Sequence, residues 1–120
     1  MRHDRDEADY FLDMVAYARR AIRFVDNQLF ESFIENEITR LAVYKCLEII
    51  GEAASKISSE TRTLHSDIPW GGMIGMRNIL VHDYEGVADD MVYRTVIERL
   101  PELLIILHRI LHANGWEDRP

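Results

Sequence analysis

Cysteine is nearly missing from this chain: Cys46 stands alone among 120 residues. A single thiol excludes an internal disulfide and any cysteine-cluster metal site, and it fits a reducing compartment. Six glycines and three prolines are too few for the many turns of an all-β domain, so long helices are favoured. Positive charge is also short, with 14 lysines and arginines against 21 aspartates and glutamates and a net charge of −7. Such a field repels nucleic acid at long range, so any nucleic-acid function has to come from a local site. The longest unbroken apolar run, Leu103 to Leu107, falls far short of the roughly 18 residues of a membrane span, and no membrane partner is expected. Met1 is followed by a stretch of mixed charge rather than by an apolar run, so no secretory signal is expected and the expected location is cytoplasmic.

What remains is 48% hydrophobic and 29% charged residues, the balance of one globular domain over residues 1–120. A chain of this length buries roughly two thirds of the surface it exposes when unfolded, enough for one core. Phe11, Met14, Val15, Ala18, Ile22, Val25 and Leu29 recur in steps of three and four and predict a first amphipathic helix, capped by Asp4 or Asp6. Between Asp26 and Glu37 the pattern blurs, which predicts a bend with room for a short helical turn. From Asn36 to Ser58, Ile38, Leu41, Cys46, Ile49, Ile50, Ala53 and Ile57 form a stripe wide enough for two neighbours, as expected of a central helix. Ser58 to Asp67 is polar, with Leu64 as its apolar anchor, and reads as a loop.

Pro69 suits a first helical turn capped by Ser66 or Asp67. The helix continues through Trp70, Met73, Ile74, Arg77, Ile79 and Leu80 despite Gly71, Gly72 and Gly75. Each such glycine costs about 1 kcal/mol against alanine, and its usual use is close backbone approach. Gly86 is placed to end this helix, and Asp89 or Asp90 to cap the last one. There Pro101 forces a kink or a break near Ile97. The outline is an all-α bundle of four to five helices.

The stretch Arg77-Asn78-Ile79-Leu80-Val81-His82-Asp83-Tyr84 gathers groups able to do chemistry. At ~100° per residue Arg77 and His82 lie ~140° apart around a straight helix, so they share a face only if the chain leaves the helix near His82. Asn78 and His82, four apart, do share one. One reading is a plain helix end, with a C-terminal histidine against the helix dipole and Tyr84 packed on the core.

The other reading comes from likeness. Arg77, His82 and Tyr84 form an Arg-x4-His-x-Tyr pattern that resembles the motif of HEPN ribonucleases, and the whole chain resembles the HepT-like toxins. Leu47 to Ala54 (Leu-Glu-Ile-Ile-Gly-Glu-Ala-Ala), Pro69-Trp70 followed by Met76-Arg77-Asn78, and Val81-His82-Asp83-Tyr84 carry the resemblance in that order. It implies a HEPN-type bundle and a metal-independent endoribonuclease with no cofactor, whose composite site forms between the protomers of a homodimer. His82 then serves as the proton acceptor and donor for attack of a 2′-hydroxyl on the adjacent phosphate. Arg77 holds the phosphoryl oxygens, with Asn78 positioning. RNA, which alone has the attacking hydroxyl, is the implied substrate. The resemblance further implies a two-gene module in which a minimal nucleotidyltransferase antitoxin transfers AMP to Tyr84 and silences the ribonuclease. A non-catalytic HEPN subunit that binds a nucleotide or supports a nucleotidyltransferase is the rival within the family, and a helical dimerisation module the rival outside it.

Asp83, Glu85, Asp89 and Asp90 make an acidic cluster, able to repel RNA, to dock a basic antitoxin surface or simply to be solvated. Arg19, Arg20 and Arg23 are the densest basic patch; Arg19 and Arg23 share a helical face that could contact phosphates, solvent-facing charge being the commoner explanation. Glu48 and Glu52 are four apart, and Glu52 is read as structural. His108 and His112 have metal-pair spacing, yet no glutamate supplies the zinc-protease pattern.

Overall fold

In the computed structural model, which describes residues 5–82 and 87–116, helix α1 (Glu7–Val25) begins on a reciprocal cap. The Asp6 carboxylate accepts the Asp9 N–H at 3.2 Å, and the Asp9 carboxylate accepts the Asp6 N–H at 3.4 Å. The helix stops four residues before Leu29. Asp26 and Asn27 adopt left-handed conformations, with φ of 46° and 60°, which these short polar residues tolerate better than most. The blurred stretch holds the expected short turn, α2 (Phe30–Glu35), and Asn36 then caps α3 (Glu37–Ser55) by accepting the Thr39 N–H at 3.1 Å.

The expected loop after α3 contains a further helix, α4 (Ser59–Leu64), capped by Ser58 on the Thr61 N–H. None of its residues is buried and Leu64 is 78% exposed, so Leu64 anchors nothing; Ile57 and Ile68, on either side, are the buried ones. Polar contacts fasten α4 instead. Glu7 accepts from the Ser58 N–H and the Thr61 hydroxyl, both at 2.6 Å, and Arg62 donates to the Ser55 and Ile57 carbonyls at the end of α3. Hydropathy carries no trace of such a helix.

The bonds from Thr61 and Ser58 hold the Glu7 carboxyl below the usual carboxylate range. A carboxyl depressed on folding adds stability above its unfolded pKa and loses it as pH falls through the folded value. Glu7→Gln is therefore expected to lower Tm at neutral pH and to converge with the wild type in acid. Parallel curves of Tm against pH would remove Glu7 from the account.

Helix α5 (Trp70–His82) starts directly after Pro69, whose carbonyl accepts the Met73 N–H. Helix α6 (Asp89–Arg94) takes Ala88 rather than Asp89 or Asp90 as its N-cap, with no side-chain bond there; the two aspartates lie in its first turn. A π-helical turn (Thr95–Arg99) then leads into α7 (Leu100–Asn114). Pro101 has no N–H to give the Ile97 carbonyl, and the helix widens just ahead of it, with the Leu100 N–H donating to the Thr95 carbonyl. Thus the expected kink is a local change of helical pitch.

Helix α3 is central, packing on α1 and α5, while α1 also packs on α7. Among the described residues four long rods, one of them α6–α7 joined through the π-helical turn, therefore form an all-α bundle, with α2 and α4 as short helices. The core runs through Phe11, Met14, Val15, Val43, Ile50, Val96 and Leu107. Gly115, at φ 67°, closes α7 by donating to the His112 carbonyl while the Trp116 N–H reaches Leu111, and this lays Trp116 on Phe11 at 5.6 Å.

Candidate active site at the α3–α5 contact

One glycine sets the position of Arg77, and it lies in α3. A methyl group at Gly51 would stand 2.3 Å from Arg77 Cβ and 2.6 Å from the Met73 carbonyl oxygen. Only a hydrogen fits, so the Met73–Arg77 turn of α5 rests directly on the α3 backbone. Gly71, Gly72 and Gly75, expected to serve close approach, meet nothing of their own chain within 4 Å.

That approach brings the guanidinium to the next residue of α3. Arg77 Nη2 is 2.7 Å from Glu52 Oε2, and Nη1 donates to Asn78 Oδ1 at 3.0 Å. Its Nε is buried and, among the described residues, has no hydrogen-bond partner. A planar cation held at two corners is pre-aimed in a way that a flexible lysine is not. Glu52 also faces Lys56 Nζ at 3.7 Å, so one carboxylate neutralises two cations. The resemblance assigns Asn78 a positioning part, and Glu52 is read from the sequence as structural; its pairing with Arg77 is made between helices and has no sequence period.

His82 is the last residue of α5 and is exposed. The helix persists to it, so Arg77 and His82 keep the ~140° separation of a regular helix. No hydrogen bond links the two among the described residues. Within one chain the pair does not converge on one face. Tyr84, with Asp83, Glu85 and Gly86, lies outside the described residues. Of the acidic cluster, Asp89 is no free surface charge: the Tyr44 hydroxyl donates to it, and Arg40 Nε lies 4.0 Å away. Burial, then the bond to Asp89, pushes the Tyr44 phenol up to about 12.

The other reactive groups are engaged elsewhere. Tyr93 donates to the Gln28 carbonyl at 2.6 Å, and burial pushes the Cys46 thiol up to about 11. His108 Nε2 is 3.1 Å from Arg19 Nη2, across the α1–α7 contact. No group of three or more potential metal ligands occurs among the described residues. None of their helices is long and apolar enough to cross a membrane.

A "Putative RNase" of Methanocaldococcus jannaschii is 37% identical over 114 residues, covering 95% of this chain and 94% of the relative. A second "Putative RNase" of that organism is 35% identical over 99 residues, 82% of this chain and 91% of the relative. "Probable ribonuclease HepT" of Thermococcus cleftensis is 37% identical over 99 residues, 82% and 90% of the two chains. No solved structure matches. With its helical bundle, and with the family model "Ribonuclease HepT-like" matching residues 14–110, the chain belongs to the ribonuclease HepT-like family.

Proposed function

We propose that this protein is a metal-independent endoribonuclease and the toxin of a two-gene module, silenced by AMP transfer to Tyr84 from a minimal nucleotidyltransferase antitoxin. The observation that carries the catalytic part is the fixed Arg77 guanidinium, gripped by Glu52 and Asn78 one helical turn and a half before an exposed His82. In the reaction the 2′-oxygen bonds to phosphorus as its proton passes to neutral His82. The bond from phosphorus to the 5′-oxygen then breaks, and the imidazolium returns the proton to the leaving oxygen. Arg77 balances the charge that builds on the phosphoryl oxygens. The products are a 2′,3′-cyclic phosphate and a 5′-hydroxyl.

The separation of Arg77 and His82 around α5 favours a homodimer, in which Arg77 of one protomer meets His82 of its partner. Gly71, Gly72 and Gly75 present open backbone for such an approach. Beside them an apolar groove of about 390 Å³, lined by Met73, Met76, Met91, Leu100 and Leu103, runs between α5 and α6–α7. AMP on Tyr84 would set a phosphodiester charge against the substrate phosphate that Arg77 must hold.

The test has two arms. Purified protein in chelator is expected to cut RNA and leave cyclic phosphate ends; activity that vanished in chelator and returned with magnesium would overturn the mechanism. Coexpression with a candidate minimal nucleotidyltransferase is expected to add mass in AMP steps that Tyr84→Phe abolishes. An adduct on Tyr44 or Tyr93, whose hydroxyls are engaged within the fold, would overturn the assignment.

A further inference from the structure

A net charge of −7 leaves open how this chain holds RNA at all, and α1 offers an answer. Tyr10, Tyr17 and Phe24 are spaced seven apart, which keeps them within ~40° of one line and about 10.5 Å apart along the helix. Each ring lies under an arginine of the same helix or its leading residue. Arg5 sits 4.7 Å from the Tyr10 ring centroid, Arg20 4.4 Å from that of Tyr17 and Arg23 5.8 Å from that of Phe24.

At its N-terminal end this row opens into a cleft of about 300 Å³ between α1 and α3, where Arg5, Asp13, Glu52 and Lys56 rim a floor of Tyr10, Ile49 and Ala53. Asp13 is bound to Arg5 at 2.8 Å. Glu52, on the wall of this cleft, is also the carboxylate that grips Arg77, so one side chain links the cleft to the proposed catalytic guanidinium. Along the row and cleft the cations Arg5, Arg20, Arg23 and Lys56 stand among the anions Asp9, Asp13 and Glu52, four against three on a protein whose net charge is −7.

We propose that this seam is the entry track for single-stranded RNA, three arginine–ring pairs carrying bases and phosphates toward Arg77. A guanidinium lying flat on a ring gives a base a stacking surface, and its edge N–H groups reach the phosphates between. Stacking on such platforms tolerates any sequence, while unstacked single strands, not duplex, fit it. The inference rests on the ribonuclease reading.

The probe is a short 2′-O-methyl RNA of mixed sequence, which lacks the attacking hydroxyl and stays intact. Its binding is measured by fluorescence anisotropy at several salt concentrations. Tyr17→Leu and Phe24→Leu keep apolar bulk and remove the ring; each is expected to weaken binding roughly five- to a hundred-fold. Arg20→Gln and Arg23→Gln, at the surface, keep the rings and are each expected to lower the slope of log K against log salt by about 1. Arg94→Gln, on α6 and away from the seam, controls for net charge and is expected to change affinity little. Unchanged affinity in both ring and arginine variants, or no binding by the wild type, overturns the track. A loss of dimer in sedimentation with RNA affinity retained assigns the face to self-association instead. Failure of the ribonuclease reading looks different: the wild type then cuts no RNA, whatever it binds.

Discussion

Alanine at His82 is expected to lower RNA cleavage by about 10²–10⁴-fold, the usual worth of a positioned proton-transfer group. Alanine at Arg77 is expected to cost on the order of 10²–10³-fold through lost charge stabilisation. His82 is exposed at a helix end, so its loss should leave Tm unchanged; Arg77→Ala frees Glu52 from an ion pair and is expected to move Tm slightly. Mixing the two dead proteins separates a shared site from a private one. In a dimer that pairs Arg77 of one protomer with His82 of its partner, a mixed dimer keeps one intact pair of two. Random exchange then restores roughly a quarter of wild-type activity. Mixed dimers demonstrated by mass and still dead would place both groups in one protomer and contradict the geometry argued from α5.

The second large effect is expected at Gly51. With a carbonyl oxygen 2.6 Å from the new methyl, Gly51→Ala forces α3 and α5 apart and is expected to destabilise the protein by about 1–3 kcal/mol. Gly51→Val should do worse. The displaced helix carries Arg77 with it, so kcat is expected to fall further than stability explains, because small misplacements of a catalytic group are costly. Urea unfolding followed by circular dichroism gives the first quantity, and cleavage below the transition gives the second. A Gly51→Ala protein as stable and as active as the wild type would show that the contact is loose. Gly75→Ala is the comparison for stability: a methyl there meets nothing beyond its own helix within 4 Å, and helix propensity favours it by about 1 kcal/mol, while a loss of its activity would report on the proposed dimer approach instead.

The contrast between those glycines shows where sequence reasoning runs out. Periodicity located α1, α3, α5 and the last helix because each buries a stripe whose spacing is local. It carried α1 to Leu29, since an apolar residue in phase looks the same whether or not the backbone has already turned at Asp26 and Asn27. It missed α4 altogether, a helix held by Glu7 and Arg62 rather than by burial. In the site, Arg77, Asn78 and His82 stood out by residue type and by family likeness. Glu52 and Gly51 were visible only as part of the Leu47–Ala54 likeness, with Glu52 read as structural; their contacts with Arg77 were not legible, because that neighbour is 25 or 26 positions away in the chain.

The end of α5 at His82 bears on how the proposed silencing would behave in a cell. Helix α5 ends at His82, and a group attached to Tyr84, two positions further along the sequence, is covalently tied to the chain that carries Arg77 and His82. An AMP carried there acts as a tethered inhibitor at an effective concentration in the millimolar range, set by the tether rather than by the amount of nucleotide in solution. Free AMP would have no comparable advantage, and excess RNA would not readily displace the bound group. Neutralisation would then persist after the antitoxin departs, until the adduct is hydrolysed or the protein is replaced.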